Sequence, residues 1–266
     1  MYLMSSDMIG KNQKEKVSII LPVYNGSKFL EKSINSILNQ TYQDFIIYIC
    51  NDASTDNSLD IIKRINSNKI KLFNNKKNLG LSKTRKKIIQ LTKGDYLSFI
   101  DQDDIWSKKK LEIQVKILQE KNCIMSHSSY TFFNATLNLN KTISANSIVN
   151  YEDMKKGCTI GASTVMINKK KLNSTFNFCD DRFFDSVNDY VIWLFVLRSS
   201  KENSYSYGIN KVLTRYNFHG KNLSRNKLKQ LIKHFIIIYR LEKVQFHKVF
   251  YYSFFNFITK LKQYIF

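Results

Sequence analysis

Three carboxylates cluster at residues 101–104, where Asp101, Asp103 and Asp104 directly follow an apolar run that ends at Ile100. Neighbouring carboxylates repel one another and resist burial unless a cation or water compensates their charge. Oxygen ligands of this kind suit Mg²⁺ or Mn²⁺, which bind a few carboxylates together with the phosphates of a substrate. The cluster therefore predicts a divalent metal site at the end of a strand.

A separate carboxylate, Asp189, is a candidate for acid–base chemistry because it lies near the start of a predicted helix. The dipole of that helix also stabilises a carboxylate at its N-terminus, so a purely structural role stays open. Spacing does not exclude Asp180, Asp181 or Asp185 as rivals. His219 is a lone histidine near a predicted strand end, where a structural role is commoner than metal binding.

Short apolar runs alternate with helical spacing through the first half of the chain. The expected strands are 17–21, 45–50, 70–73 and 95–100, and the expected helices are 29–38 with Ser27 as N-cap, one from 57, 80–91 and 108–119. This alternation predicts a mostly parallel sheet flanked by helices, which binds ligands at the carboxyl ends of its strands. Tyr24, Asp52 and residues 101–104 would then share one crevice. Neither a GxxxxGK[ST] nor a GxGxxG motif is present, which argues against P-loop NTPases and ordinary dinucleotide enzymes.

The second half of the chain has a less regular pattern. Residues 123–150 read as strand and loop, 160–167 as a strand beginning at Gly161, 186–197 as a helix and 212–218 as a strand. From residue 228 onward helical spacing continues to the end, and a soft domain boundary is expected near residue 224.

The charge is strongly positive, with 42 Lys and Arg against 21 Asp and Glu in 266 residues, a net +21. The excess suits a nucleic acid, an anionic membrane surface or a phosphate-bearing substrate, although AT-rich coding also produces Lys-rich chains. Four cysteines without a CxxC pair favour reduced thiols in a cytosolic protein. The sequence shows no signal peptide and no apolar run long enough to span a bilayer.

Four ordered motifs carry a resemblance to a known family. They are VSIILPVYN at 17–25, SILNQT at 36–41, NDASTD at 51–56 and FIDQDD at 99–104. The chain resembles the family 2 glycosyltransferases, which have the GT-A nucleotide-sugar-binding fold. The match is dense from residue 16 to about 125 and thinner over 157–224. It implies transfer of a sugar from a nucleotide diphosphate, usually UDP-linked, with inversion at the anomeric carbon.

The resemblance also implies roles for single residues. Asp103 would be the principal ligand of Mn²⁺ or Mg²⁺, with Asp101 and His219 beside it, and Asp189 would be the general base with Trp193 as its aromatic partner. The residues implied to bind the nucleotide sugar are Pro22, Tyr24, Asp52, Arg85, Asp101, Gln102 and Asp103. Departures from the family pattern at Asn51, Lys86, Asn188 and Asn217 leave the donor and acceptor sugars open.

A two-part organisation is expected. Residues 1–224 would form the GT-A catalytic domain, with a nucleotide-binding half at 16–125 and an acceptor half at 126–224. The basic tail, residues 225–266, holds nine Lys and Arg, one acid and 11 aromatic residues. Such an amphipathic helical extension suits peripheral contact with an anionic inner membrane and a lipid-linked saccharide acceptor in surface polysaccharide synthesis. Packing of the tail on the core or a homodimer contact remains an alternative.

Two other functions compete with the transferase. A basic nucleic-acid-binding protein would explain the charge, but no RNA-recognition or KH signature supports it, and the expectation is that no nucleic acid binds. A catalytically inactive nucleotide-sugar-binding module on the same fold is opposed by retention of the key aspartates. The sequence thus predicts a cytoplasmic enzyme at the inner face of the cell membrane.

Overall fold

A computed structural model describes residues 16–134, 139–173, 188–199, 203–217 and 227–265. Within those ranges one mixed sheet is flanked by helices. Its strands are β1 (Val17–Val23), β2 (Phe45–Asn51), β3 (Ile70–Asn74), β4 (Tyr96–Phe99), β5 (Ile105–Trp106), β6 (Met125–Asn134), β7 (Leu139–Ile143), β8 (Ile148–Asn150), β9 (Met166–Asn168) and β10 (Tyr205–Asn217). The helices are α1 (Leu30–Leu38), α2 (Ser58–Ile65), α3 (Leu81–Leu91), α4 (Lys110–Glu120), α5 (Tyr151–Lys156), α6 (Asn188–Ser199), α7 (Lys227–Ile236) and α8 (Phe246–Ile265).

The strand order is β3-β2-β1-β4-β9-β6-β10-β5, with β7 on β6 and β8 on β10. The first four strands are parallel and correspond to the four strands predicted in the first half. β9 runs antiparallel to β4 and β6, while β6 and β10 are parallel to each other. All seven residues of β1 are buried, as expected for a central strand with helices on both faces. The prediction of a mostly parallel sheet flanked by helices is confirmed.

Two sequence expectations about the first βα unit were wrong in detail. β1 continues through Pro22 to Val23, because its pairing with β4 stops at Ile20 and the missing N–H of Pro22 interrupts no bond on that side. Ser27 is not the N-cap of α1. Its backbone N–H donates to Asp56 Oδ2 at 2.9 Å, and Phe29 takes the cap position without a side-chain hydrogen bond.

The second half differs more from the sequence expectation. The strand predicted over 160–167 is a 3₁₀ turn at Ala162–Thr164 followed by the three-residue β9. Thr164 Oγ1 donates to the Gly161 carbonyl at 2.7 Å and closes the turn, which an extended strand would not allow. β10 begins at Tyr205, seven residues before the predicted start, because irregular register shifts between Ile209 and Thr214 obscure its alternation.

Two apolar clusters cover opposite faces of the sheet. Val17, Ile19 and Leu21 of β1 pack with α1, α2 and α4, whereas Ile20 faces the cluster that contains α6. α6 is buried almost throughout, from Tyr190 to Leu197. A helix buried on all sides is held by packing, so the position of its first turn is fixed by the core.

The basic tail forms α7, a π-helical turn at Ile237–Leu241 and α8. Ile238, Val249 and Tyr252 form a small core between them. The predicted boundary near residue 224 lies outside the described residues. Among the helices that the structure describes, none combines the length and the apolar character that crossing a membrane requires.

Candidate functional site

The loops after β1, β2 and β4 meet at one edge of the sheet, which we call the crevice. Gln102 joins two of them, because its Oε1 accepts from the Tyr24 backbone N–H at 2.8 Å and its Nε2 donates to the Tyr24 carbonyl at 3.0 Å. A Cβ on Gly26 would lie 2.5 Å from Gln102 Oε1, so any larger residue there would displace the Gln102 side chain. Pro22 is buried in β1 just below, while the Tyr24 ring is 46% exposed. An aromatic face thus stands open at the crevice.

Asp52 organises the loop that leads into α3. Its buried carboxylate accepts from the backbone N–H groups of Leu79 and Gly80, each at 2.9 Å, and from Asn75 Nδ2 at 2.6 Å. Gly80 has φ of +82°, a conformation that glycine adopts without strain. These contacts fix the start of α3 and therefore the position of Arg85, one turn further along.

Arg85 and Asp101 form an ion pair at the floor of the crevice. The guanidinium is only 3% exposed, and its Nη2 donates to Asp101 Oδ1, whose side chain is 32% exposed. The backbone N–H of Asp101 donates to Ser163 Oγ at 3.0 Å. A buried, charge-assisted pair of this kind holds the carboxylate in one orientation.

Asp104 points away from the other two carboxylates, into the protein. It is 1% exposed, and it accepts from Ser163 Oγ and from the Asn217 backbone N–H, the latter at 3.3 Å. Burial raises the pKa of Asp104 well above its ordinary value, and the charges of Asp101 and Asp103 raise it further. Asp104 is therefore an internal group, separate from the two carboxylates that face the crevice.

Ser163 connects this edge of the sheet to the second half of the chain. Besides the contacts above, its backbone N–H donates to the Tyr216 hydroxyl at 3.2 Å. Its carbonyl accepts from Trp106 Nε1 at 2.9 Å and from Thr214 Oγ1 at 3.1 Å. Sequence reasoning missed Ser163 because nothing in its local pattern marks it. The nearby signal is Gly161, two residues earlier, where a Cβ would lie 2.5 Å from the Tyr216 hydroxyl.

The metal ligands expected from the sequence are Asp101, Asp103 and His219. The first two lie at the crevice and are partly exposed, while His219 falls outside the described residues. Across the described ranges, no group of three His, Cys, Asp or Glu side chains is arranged to hold a metal. Mg²⁺ and Mn²⁺ use one or two protein carboxylates and complete their shell with water and phosphate, so two carboxylates fit such an ion.

Asp189 lies in the first turn of α6, and its Oδ1 accepts from the Tyr190 backbone N–H at 2.9 Å. Burial raises the pKa of Asp189; the positive charge of Arg85 partly offsets this, and Asp101 adds to it. Asp189, in the second half of the chain, is therefore close enough to the Arg85–Asp101 pair for both charges to act on it. Trp193, one turn later, is fully buried and packs edge-to-face on Phe99, with ring centroids 5.2 Å apart, which ties α6 to β4. Asp180, Asp181 and Asp185 lie outside the described residues.

Comparison with known proteins identifies the family. Residues 18–176, more than half of the chain, match the description Glycosyl transferase family 2. The chain belongs to glycosyltransferase family 2. The matched residues contain the crevice loops and Ser163, and they end before α6, so Asp189 lies beyond them.

Proteins similar to this glycosyltransferase in sequence or fold use or bind nucleotide sugars. It is 30% identical over 215 residues to the Escherichia coli UDP-Glc:alpha-D-GlcNAc-diphosphoundecaprenol beta-1,3-glucosyltransferase WfgD, covering 81% of this chain and 82% of WfgD. Its fold is similar to that of the 1–349 fragment of Staphylococcus aureus TarS in complex with UDP-GlcNAc, with a TM-score of 0.64 and 16% identity over 88% of this chain and 69% of that fragment. It is also similar to the mannosyltransferase PcManGT of Pyrobaculum calidifontis, in complex with GDP-Man and Mn²⁺, with a TM-score of 0.56 and 12% identity over 88% of this chain and 67% of PcManGT. These likenesses confirm the expected GT-A fold.

Proposed function

We propose that this glycosyltransferase moves a hexose from a UDP-sugar to a saccharide carried on a lipid diphosphate, with inversion, during bacterial surface polysaccharide synthesis. The observation that carries the proposal is that Arg85 pairs with Asp101 and that the charges of both act on Asp189, which supports a candidate phosphate-side carboxylate and a candidate base in one site. The activity of WfgD supports the choice of donor and acceptor. We further propose that residues 1–224 form the catalytic domain, nucleotide-binding over 16–125 and acceptor-binding over 126–224.

In this proposal the donor's base lies against the edge formed by Pro22, Tyr24 and Asp52. The exposed Tyr24 ring supplies a stacking face, and Gln102 holds the Tyr24 backbone so that the ring stays in place. The Asp52 carboxylate already accepts three hydrogen bonds, which fix the loop around the nucleobase. Its remaining acceptor capacity is available for a hydrogen bond from the nucleobase itself. Asp101 faces the ribose and is oriented by Arg85.

Asp103 and Asp101 would hold Mn²⁺ or Mg²⁺, with His219 as the third candidate ligand. When bound, such an ion stabilises the charge that develops on the leaving diphosphate. Arg85 pairs with Asp101 and keeps that carboxylate aimed at the crevice. Asp104 takes no part in binding the ion, because Ser163 and Asn217 hold it in the interior.

Asp189 would accept the proton of the acceptor hydroxyl as that oxygen attacks the anomeric carbon. One displacement forms the new glycosidic bond, breaks the bond to the diphosphate and inverts the centre, so no covalent nucleophile on the protein is needed. A raised pKa suits this role because a stronger base accepts the proton more readily near neutral pH. The acceptor's lipid would hold the reaction at the inner face of the cell membrane, which we propose the basic tail contacts.

The test is Mn²⁺-dependent hydrolysis of a panel of nucleotide sugars, followed by transfer to a synthetic lipid-diphosphate saccharide. We expect one donor to be consumed, Asp103→Ala to abolish its hydrolysis, and Asp189→Asn to reduce transfer by about 10²–10⁴-fold while donor binding persists. The matched control is Asp60→Ala, which removes an exposed carboxylate on α2. Full activity in Asp103→Ala, or retention of the donor's anomeric configuration in the product, would contradict the proposal.

A further inference from the structure

The outward side of the α7–α8 unit is covered by exposed aromatic rings. On α8 these are Phe246, Phe250, Tyr251, Phe254, Phe255 and Phe257, and we call this set the aromatic face. Phe246, Phe250 and Phe254 are 55–61% exposed and recur every four residues, so they form one stripe along the helix. A contiguous apolar patch of this kind is unusual on a protein surface that meets only water.

The opposite side of the same unit is docked on the catalytic domain. Val249, Tyr252 and Asn256 form the buried stripe of α8, and the Tyr252 hydroxyl donates to Glu152 of α5 at 3.0 Å. A Cβ on Gly157 would lie 2.8 Å from Asn256 Oδ1, which shows how closely the two parts approach. One side of α8 therefore packs on the rest of the protein, while its other side stays exposed and available to a partner.

A buried carboxylate fixes this unit to the helix that carries Asp189. The Glu242 side chain is 1% exposed, and it accepts from the Tyr151 hydroxyl and from Arg198 Nη1 of α6, the latter at 3.2 Å. The His234 ring of α7 stacks on Tyr190, with centroids 5.5 Å apart and planes 20° from parallel. Tyr190 directly follows Asp189 in the chain, so the α7–α8 unit packs against the residue next to the candidate base.

The positive charge around the aromatic face favours an anionic partner. Glu242 is the only acid among residues 225–266, and its burial leaves a surface with Lys243 and Lys248 exposed. A second copy of this chain would present the same positive charges, which disfavours self-association through this side. Anionic lipid headgroups complement the lysines, and aromatic rings fit the boundary between headgroups and acyl chains.

We infer that the aromatic face seats in the interfacial region of an anionic bilayer, and that the Glu242 contact holds the crevice in a fixed orientation to that surface. The role of this surface in reaching the substrate rests on the proposed lipid-linked acceptor, whereas binding of the aromatic face to a bilayer does not. A lipid-linked acceptor would then meet Asp189 without leaving the membrane.

The first experiment is co-sedimentation of the full chain with phosphatidylcholine vesicles, with and without phosphatidylglycerol. We expect binding that depends on phosphatidylglycerol, weakens at high salt, and falls about tenfold or more in the double variant Phe250→Ser, Phe254→Ser. Ile148→Ser is the matched control, because Ile148 is an equally exposed apolar residue, 54%, that belongs to β8 and not to the aromatic face. Equal binding by the double variant, or no vesicle binding by the wild type, would overturn the inference.

A second readout separates this inference from the proposed function. Donor hydrolysis in vesicle-free solution should be unchanged in the double variant, while transfer to a lipid-linked acceptor in vesicles should fall and transfer to a water-soluble acceptor should not. If the wild type does not hydrolyse any donor, that result would count against the proposed function alone. Sedimentation velocity completes the test: a wild-type dimer that the double variant converts to a monomer, without vesicle binding, would assign the aromatic face to self-association instead.

Discussion

Replacing Ser163 by alanine removes a hydroxyl that links both halves of the chain at the crevice. Ser163 Oγ donates to Asp104 and accepts from the Asp101 backbone N–H. The variant leaves the backbone contacts of residue 163 with Trp106 and Tyr216 available, so the fold is retained and the loss is confined to two hydrogen bonds. Among the described residues, the Asn217 N–H is then the remaining hydrogen-bond donor to Asp104, at a fully buried position.

The size of the effect follows from burial. Leaving a buried polar group without its partner costs about 1–3 kcal/mol, and a group with charge costs more. The Asp104 side carries most of the loss, because Asp101 is partly exposed and water can reach its loop. We therefore expect Ser163→Ala to lower the free energy of unfolding by about 2–4 kcal/mol. The same change should raise the KM for the donor, since Asp101 loses the contact that positions its backbone.

Urea denaturation of wild type and variant, with comparison of midpoints and slopes, measures the stability change. Ser107→Ala is the control: Ser107 is exposed on the neighbouring loop, and its change should stay within about 0.5 kcal/mol. Combining Ser163→Ala with Asp104→Asn should show a coupling of about 1 kcal/mol or more. An unfolding midpoint in Ser163→Ala equal to that of the wild type would refute the reasoning.

Three further predictions concern buried charge and close packing. Burial lowers the pKa of Lys110 well below its ordinary value, so between the two pKa values the unfolded chain binds more protons and stability rises with pH. Lys110→Met should remove this rise of the free energy of unfolding with pH, which is at most about 1.4 kcal/mol per pH unit. Urea midpoints that rise with pH as steeply in the variant as in the wild type would contradict this. Burial raises the pKa of Asp189 and the charge of Arg85 lowers it, so Arg85→Gln should move the acidic limb of kcat/KM to higher pH; an unmoved limb argues against Asp189 as the base. Gly26→Ala would place a Cβ 2.5 Å from Gln102 Oε1 and should raise the donor KM several-fold with a smaller change in kcat, whereas unchanged kinetics would show that this loop contact is dispensable.

The sequence by itself determined the βα alternation from β1 to α4, because each strand there is a short apolar run and each helix has an amphipathic period that local patterns reveal. It also determined that the loops after β1, β2 and β4 meet, since parallel strands place their carboxyl ends together. The four ordered motifs at 17–25, 36–41, 51–56 and 99–104 were enough to predict the family.

Only the tertiary structure separated the three carboxylates of residues 101–104 by role. Asp101 pairs with Arg85 while Asp104 turns inward to Ser163, and the partners lie 16 and 59 positions away in the chain. No local pattern carries such contacts, because they depend on how distant elements pack. The same reason explains β5 and β9, which are too short for a periodic signal and exist only through their pairing with β10, β4 and β6.

The basic tail shows the same division. Its composition predicted an amphipathic helical segment but left open whether that segment packs on the core or faces outward. The structure assigns one side of α8 to each, because Tyr252 is buried and donates to Glu152 while Phe254 stays exposed. A helix has two sides, and only its neighbours in space decide which one is covered.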